Sequence, residues 1–275
     1  MEEKNIYIKT GEEYISKALT LPYVKINRRE FLYDTFKNES SNKIEEYIKT
    51  GNVELFSRYY IDRLAKKVIK TETNRSSAAA FATGLPGGYA IAGTIPADIL
   101  QNLAHSLRLA QKLAYLYGEN DLHDASGVLQ ENGYNTIIAY FGVMLGSSSA
   151  TAAIGLFSKN SPKEIVKILN KTAVTKTVWY PIIKSVAKFF GIKVTKGGLG
   201  KVVQKSIPVV GGFISGGITY VSLSKSGENL RQRLSEVTYD YSEKKAQKDL
   251  DIVQGVVRDY GDEEKVVENN ISSEI

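Results

Sequence analysis

The most regular alternation of apolar and polar positions runs from Pro96 to Tyr117. Leu100, Leu103, Leu107, Ala110, Ala114 and Tyr117 follow one another at spacings of three and four. On a helix these positions share one face and form a heptad-like seam. Pro96 suits the first turn, Asp98 complements the positive end of the helix dipole, and Gly118 is an ordinary stop. Asp98, Asn102 and His105 fall on the opposite face, flanked by Arg108 and Lys112. The plain reading is a solvated or hydrogen-bonded row, with Asp98 as a structural residue at the helix start. A carboxylate two turns from a histidine can also orient it, so Asp98 and His105 are the candidates for a catalytic role.

Other segments are read the same way. Residues 1–75 look like mixed polar helices. The best of them spans Val53 to Lys70, with Leu55, Tyr59, Leu64 and Val68 near helical spacing. Leu21 to Asn42 is irregular and is expected to hold a loop and a short helix. Three stretches carry no charge: Ser76–Ala97, Gly133–Ser158 and Ser206–Ser224. Each is about the length of a membrane-spanning helix. The first contains Gly84, Pro86, Gly87, Gly88, Gly93 and Pro96, which predicts two short helices rather than one span. The second places Gly142, Gly146 and Ala150 four apart, and the third does so with Gly212 and Gly216. Small residues at that interval allow close helix packing, either inside a folded core or in a membrane.

Charge changes the picture in one place. Residues 159–206 hold 11 lysines and a single acid, Glu164, whereas the whole chain has a net charge of +6. Ser161-Pro162-Lys163-Glu164 reads as a capping box that starts a helix. Lys163, Lys167 and Lys171 then form a stripe. Lys184 and Lys188 follow, beside Trp179, Tyr180, Phe189 and Phe190. Lysine mixed with aromatic residues suits anionic phospholipid, while a solvated helix face is the simpler alternative. The stretch has no arginine, which disfavours nucleic acid. From Gly227 to about Tyr260 a long polar helix or a helix pair is expected, then an acidic frayed tail. No period-two segment is long enough to build a sheet. The fold class is therefore all-α, a multi-helix domain with glycine-rich hairpins in its core. Its divisions are a polar helical region over 1–75, a core over 76–235, and a polar helix with tail over 236–275.

Composition removes most chemistry. With no cysteine there is no disulfide, thiolate metal site or cysteine nucleophile, and two histidines, His105 and His123, leave little for imidazole ligation. Gly197-Gly198-Leu199-Gly200-Lys201 lacks the leading glycine and the trailing hydroxyl of a P-loop, and Val203 stands where a dinucleotide motif needs its third glycine. No nucleophile elbow occurs. Asp121-Leu122-His123-Asp124 matches no calcium loop and is read as a turn. No metal, cofactor or nucleotide is expected. The acidic start, Met1-Glu2-Glu3-Lys4-Asn5, lacks a secretory h-region, so a cytoplasmic setting is expected.

Two elements together resemble the EcsC protein family. One is Pro96-Ala97-Asp98 leading a leucine-rich helix that carries Arg108 and ends at Tyr117-Gly118. The other is Ile207-Pro208-Val209-Val210-Gly211-Gly212, continuing through Gly216-Gly217. The resemblance covers roughly residues 76–233 and implies a bacterial, mostly helical protein without an established enzymatic activity, with a link to membrane transport. The expected function is peripheral attachment to the inner face of the membrane through the lysine-rich aromatic face, in a role linked to a transporter or envelope process. Anionic lipid is the expected partner, with a membrane protein as a second candidate. Two rivals stay open: an enzyme using the Asp98/Asn102/His105 face, and a pore-forming or toxin-like protein using the uncharged hairpins.

Overall fold

A buried helix must hide polar backbone and side chains alike, so what surrounds the leucine-rich segment decides the architecture. The computed structural model describes residues 2–83, 97–124, 126–171, 179–188, 190–191 and 216–273, with side chains over 6–76, 99–124, 126–168, 179–188, 190–191 and 222–259. The described residues are all-α. Helix α1 covers Glu2–Leu19, α2 Arg28–Thr35, α3 Ser41–Thr50, α4 Arg58–Thr83 and α5 Ala97–Leu116. Helix α6 covers Glu131–Leu145, α7 Ser148–Leu156 and α8 Lys163–Lys171. Residues 179–188 and 190–191 form α9. Helix α10 covers Gly216–Tyr239 and α11 Glu243–Ser273. Pro22–Val24 and Val53–Leu55 are single 3-10 turns. Among the described residues there is no strand, only an isolated bridge between His123 and Leu129.

Helix α5 is the axis of the assembly. Helices α1, α2, α4, α6 and α10 all pack against it. From Asn102 to Tyr117 every residue but Arg108 is buried. The leucine seam is therefore inside, and so is the opposite face, which settles its two readings, solvated or hydrogen-bonded, against the solvated one. One cluster of buried apolar side chains runs from Ile15 through Phe36, Tyr47, Ile61, Leu107 and Phe141 to Val237. A smaller cluster joins α7, α8, α9 and α11 through Leu156, Ile165, Ile182 and Leu250.

Local signals explain the helix ends. The Asn27 side chain accepts from Glu30 N and starts α2. Gly51 ends α3 in the left-handed region at φ +61°, and Gly146 ends α6 at φ +88°. Ser147 then caps α7 through Ala150 N. Gly146 thus turns the chain between two helices, and a Cβ built on it would meet nothing within 4 Å. It is a cap, which corrects its expected role as a packing glycine. Gly142 does lie at a close contact, since a Cβ there would come within 2.5 Å of Ala150 Cβ and 2.6 Å of Val186 Cγ2.

Three further expectations change. The helix predicted over Val53–Lys70 begins at Arg58 and continues to Thr83. Its buried face is Ile61, Ala65 and Ile69, while Tyr59 is 76% exposed, because α5 and α10 pack on the Ile61 side. Helix α8 starts at Lys163, one residue later than a Ser161 cap requires, and Ser161 Oγ has no hydrogen-bond partner, so the capping box does not form. The tail after Gly261 is helical through Ser273, since a lone glycine weakens a helix by about 1 kcal/mol without ending it. Gly84–Pro96, Gly212 and the segment from Ile207 to Ser215 lie outside the described residues. Gly216 is the first residue of α10.

Candidate functional site

The polar row of α5 meets α4 at one buried carboxylate. Glu72 is fully enclosed, and Lys112 Nζ donates to its Oε1. Arg75 Nη1 lies 3.4 Å from the same oxygen. Arg108 Nε and His105 Nδ1 lie 3.7 and 3.9 Å from Oε2. Tyr23 packs near His105 with ring centroids 6.4 Å apart, and Lys112 Nζ sits 5.7 Å from the Phe31 ring centroid. Burial pushes the Glu72 carboxyl up, but the neighbouring His105, Lys112 and Arg108 outweigh it and hold the group at about 2. Burial pulls the Lys112 ammonium down, and Glu72 opposes that. A carboxylate held so low is a poor proton acceptor near neutrality. The cluster is suited to latching α4 onto α5. His105 and Asn102 belong to this closed face, and the Asp98 side chain lies outside the described residues.

Glu72 was not singled out by sequence reasoning, although a signal existed. Ile61, Ala65, Ile69, Glu72 and Ser76 share one helical stripe. An acid on an apolar stripe of one helix, and Lys112 and His105 on a neighbour, are a pair waiting to be matched.

The lysine-rich stretch divides. Lys163 and Lys167 are exposed on α8, and so are Val166 at 37% and Ile168 at 40%. Ile165 on the same helix is buried against α11 and α9. Lys184 is bound to Glu12 at 2.7 Å and lies over the Tyr180 ring, so its charge is already matched. Lys188 is half-buried, and Tyr180 is 50% exposed. Trp179 is half-buried and stacks on Phe157 at 4.7 Å, so it is part of the packed interior rather than a surface anchor. Phe190 is buried against Tyr14 and Phe141. Lys171 belongs to α8, but its side chain lies outside the described residues, as does Phe189.

A cavity of about 440 Å³ lies where α3, α5, α7 and α10 end. The caps of α3 and α5 meet back to back in its wall. A Cβ on Gly51 would stand 2.4 Å from Gly118 O, and one on Gly118 would stand 2.4 Å from Gly51 O. Both glycines also have positive φ, +61° and +87°, so two independent constraints require glycine. Lys159 Nζ donates to Gly118 O at 3.0 Å and to Asn120 Oδ1 at 3.2 Å. Asn160 Nδ2 donates to Val237 O and Thr238 O at the end of α10. Tyr140 Oη donates to Glu119 Oε2 at 2.7 Å, and burial followed by the Glu119 charge pushes its phenol well up. Asn102 and His105 do not line this cavity.

Among the described residues no group of histidine and carboxylate side chains could hold a metal ion, and no helix is long and apolar enough to cross a membrane. The class these observations define is an all-α protein with a buried ionic latch and a cavity at converging helix ends. No protein-family model, curated protein or solved structure matches the chain.

Proposed function

We propose that this is a non-enzymatic, EcsC-like helical protein that binds anionic membrane peripherally, in a role linked to a transporter or envelope process. The observation that carries the reading is the surface of α8. Val166 and Ile168 are exposed there among Lys163 and Lys167, while Ile165 ties the helix to the body of the protein. An interfacial helix needs that combination, with apolar side chains to enter the acyl boundary and lysines to meet lipid phosphates. Each lysine near an anionic surface contributes about 1 kcal/mol, so a few suffice for reversible attachment.

Vesicle co-sedimentation tests the reading. Binding is expected with vesicles that contain acidic phospholipid, is absent with neutral ones, and weakens as salt is added. The double variant Lys163→Gln/Lys167→Gln is expected to bind about 30-fold more weakly, from two lysines at about 1 kcal/mol each. Val166→Ser/Ile168→Ser is expected to remove the salt-resistant part. Lys184→Gln is expected to have a smaller effect, because Lys184 already pairs with Glu12. Wild-type protein that ignores acidic vesicles at low salt would overturn the proposal.

A further inference from the structure

We infer that the cavity where four helices end is a binding site for a small ligand carrying an organic ammonium group. The inference stands apart from the membrane reading and uses none of the α8 surface. The C-terminal end of a helix carries about half a negative charge, spread over carbonyl oxygens that lack an intrahelical partner. Here the ends of α3, α5, α7 and α10 converge, represented in the wall by Thr50, Gly118, Phe157 and Thr238. Two carboxylates, Glu54 and Glu119, line the same space, against one cation, Lys159. The summed field is therefore negative.

The protein already meets this field with its own cations. Lys159 Nζ is held by Gly118 O and Asn120 Oδ1. Arg28 donates to Ile48 O and Glu119 O, at the ends of α3 and α5. Ammonium and guanidinium groups are thus the species that these helix ends recruit. The remaining walls carry Tyr117, Tyr140 and Trp179. Aromatic faces attract a cation that has shed water, and they do so best for alkylated ammonium. At about 440 Å³ the space suits a small molecule. An anion has little to gain there. It would face two carboxylates and four negative helix ends, and Lys159, the one wall cation, is already bound to two oxygens.

Trp179 is the only tryptophan of the chain and lines the cavity, so its emission reports occupancy directly. Full-length protein is titrated at constant ionic strength with choline, with spermidine, and with 3,3-dimethylbutanol, the uncharged isostere of choline. Choline or spermidine is expected to give a saturable change, and the isostere to bind about tenfold more weakly or worse. Glu119→Gln is expected to weaken choline binding severalfold. Glu54→Gln, at an exposed position, is the second carboxylate variant should the first fail to fold. A free amine and a lipid headgroup present the same ammonium chemistry. Monomeric short-chain phosphatidylcholine that binds tenfold tighter than choline assigns the headgroup, and equal or weaker binding assigns the free amine. Equal affinity for choline and its isostere would overturn the inference. So would tighter binding of inorganic phosphate, or no saturable response to either amine.

Discussion

Replacing Glu72 by alanine isolates the cost of the buried ionic latch. The carboxylate is fully enclosed and is shared by Lys112, Arg108, Arg75 and His105. Removing it strands Lys112, whose side chain is 11% exposed, and Arg108, at 18%, without a counter-charge. Breaking a buried pair in this way costs about 3–5 kcal/mol, which for a domain of this size lowers Tm by roughly 6–20 °C. Removing Lys112 as well, in Glu72→Met/Lys112→Met, is expected to restore at least half of the loss, since an apolar pair is often neutral where an orphaned charge is not. The pH dependence has a definite sign. The folded carboxyl sits at about 2 against an ordinary 4.5, so the folded state binds the proton less readily than the unfolded state. The contribution is present above the unfolded value and is lost as pH falls through 4.5 towards 2, amounting to about 3 kcal/mol. Urea denaturation from pH 7 down to acid conditions reads both effects. Wild type should approach Glu72→Gln in stability as the pH drops. A Glu72→Ala protein within about 1 kcal/mol of wild type at pH 7, or parallel acid profiles for wild type and Glu72→Gln, would refute the reasoning.

Gly118→Ala should cost about 1–3 kcal/mol in urea denaturation, because φ is +87° and the new Cβ would stand 2.4 Å from Gly51 O. Arg233 joins three helices, donating from Nε to Thr151 O, from Nη1 to Glu236 at 2.7 Å, and from Nη2 to buried Asp249. Arg233→Met should therefore lower stability by about 3–5 kcal/mol, and pairing it with Asp249→Asn should recover part of the loss in a double-mutant cycle.

Local chemistry made much of the fold legible in the sequence. Leucines spaced three and four apart define α5 with no knowledge of its neighbours, and the glycine after Tyr117 ends it, because both effects act within a few residues. The absence of any alternating strand pattern likewise points to helices alone. What surrounds a helix is not local. The polar row of Asn102, His105 and Lys112 reads as either solvent-facing or hydrogen-bonded until Glu72, 40 residues before Lys112, is brought against it. Only then do burial and charge pairing decide between the two. The same holds for the lysine-rich stretch. Its composition is a property of the chain, but Glu12 neutralises Lys184 and Phe157 covers Trp179 through contacts between distant segments. The cavity depends on tertiary structure altogether. Each helix end is written in its own few residues, yet their convergence on one space follows from how the helices stack on α5, and electrostatic fields add by distance in space rather than by separation along the chain.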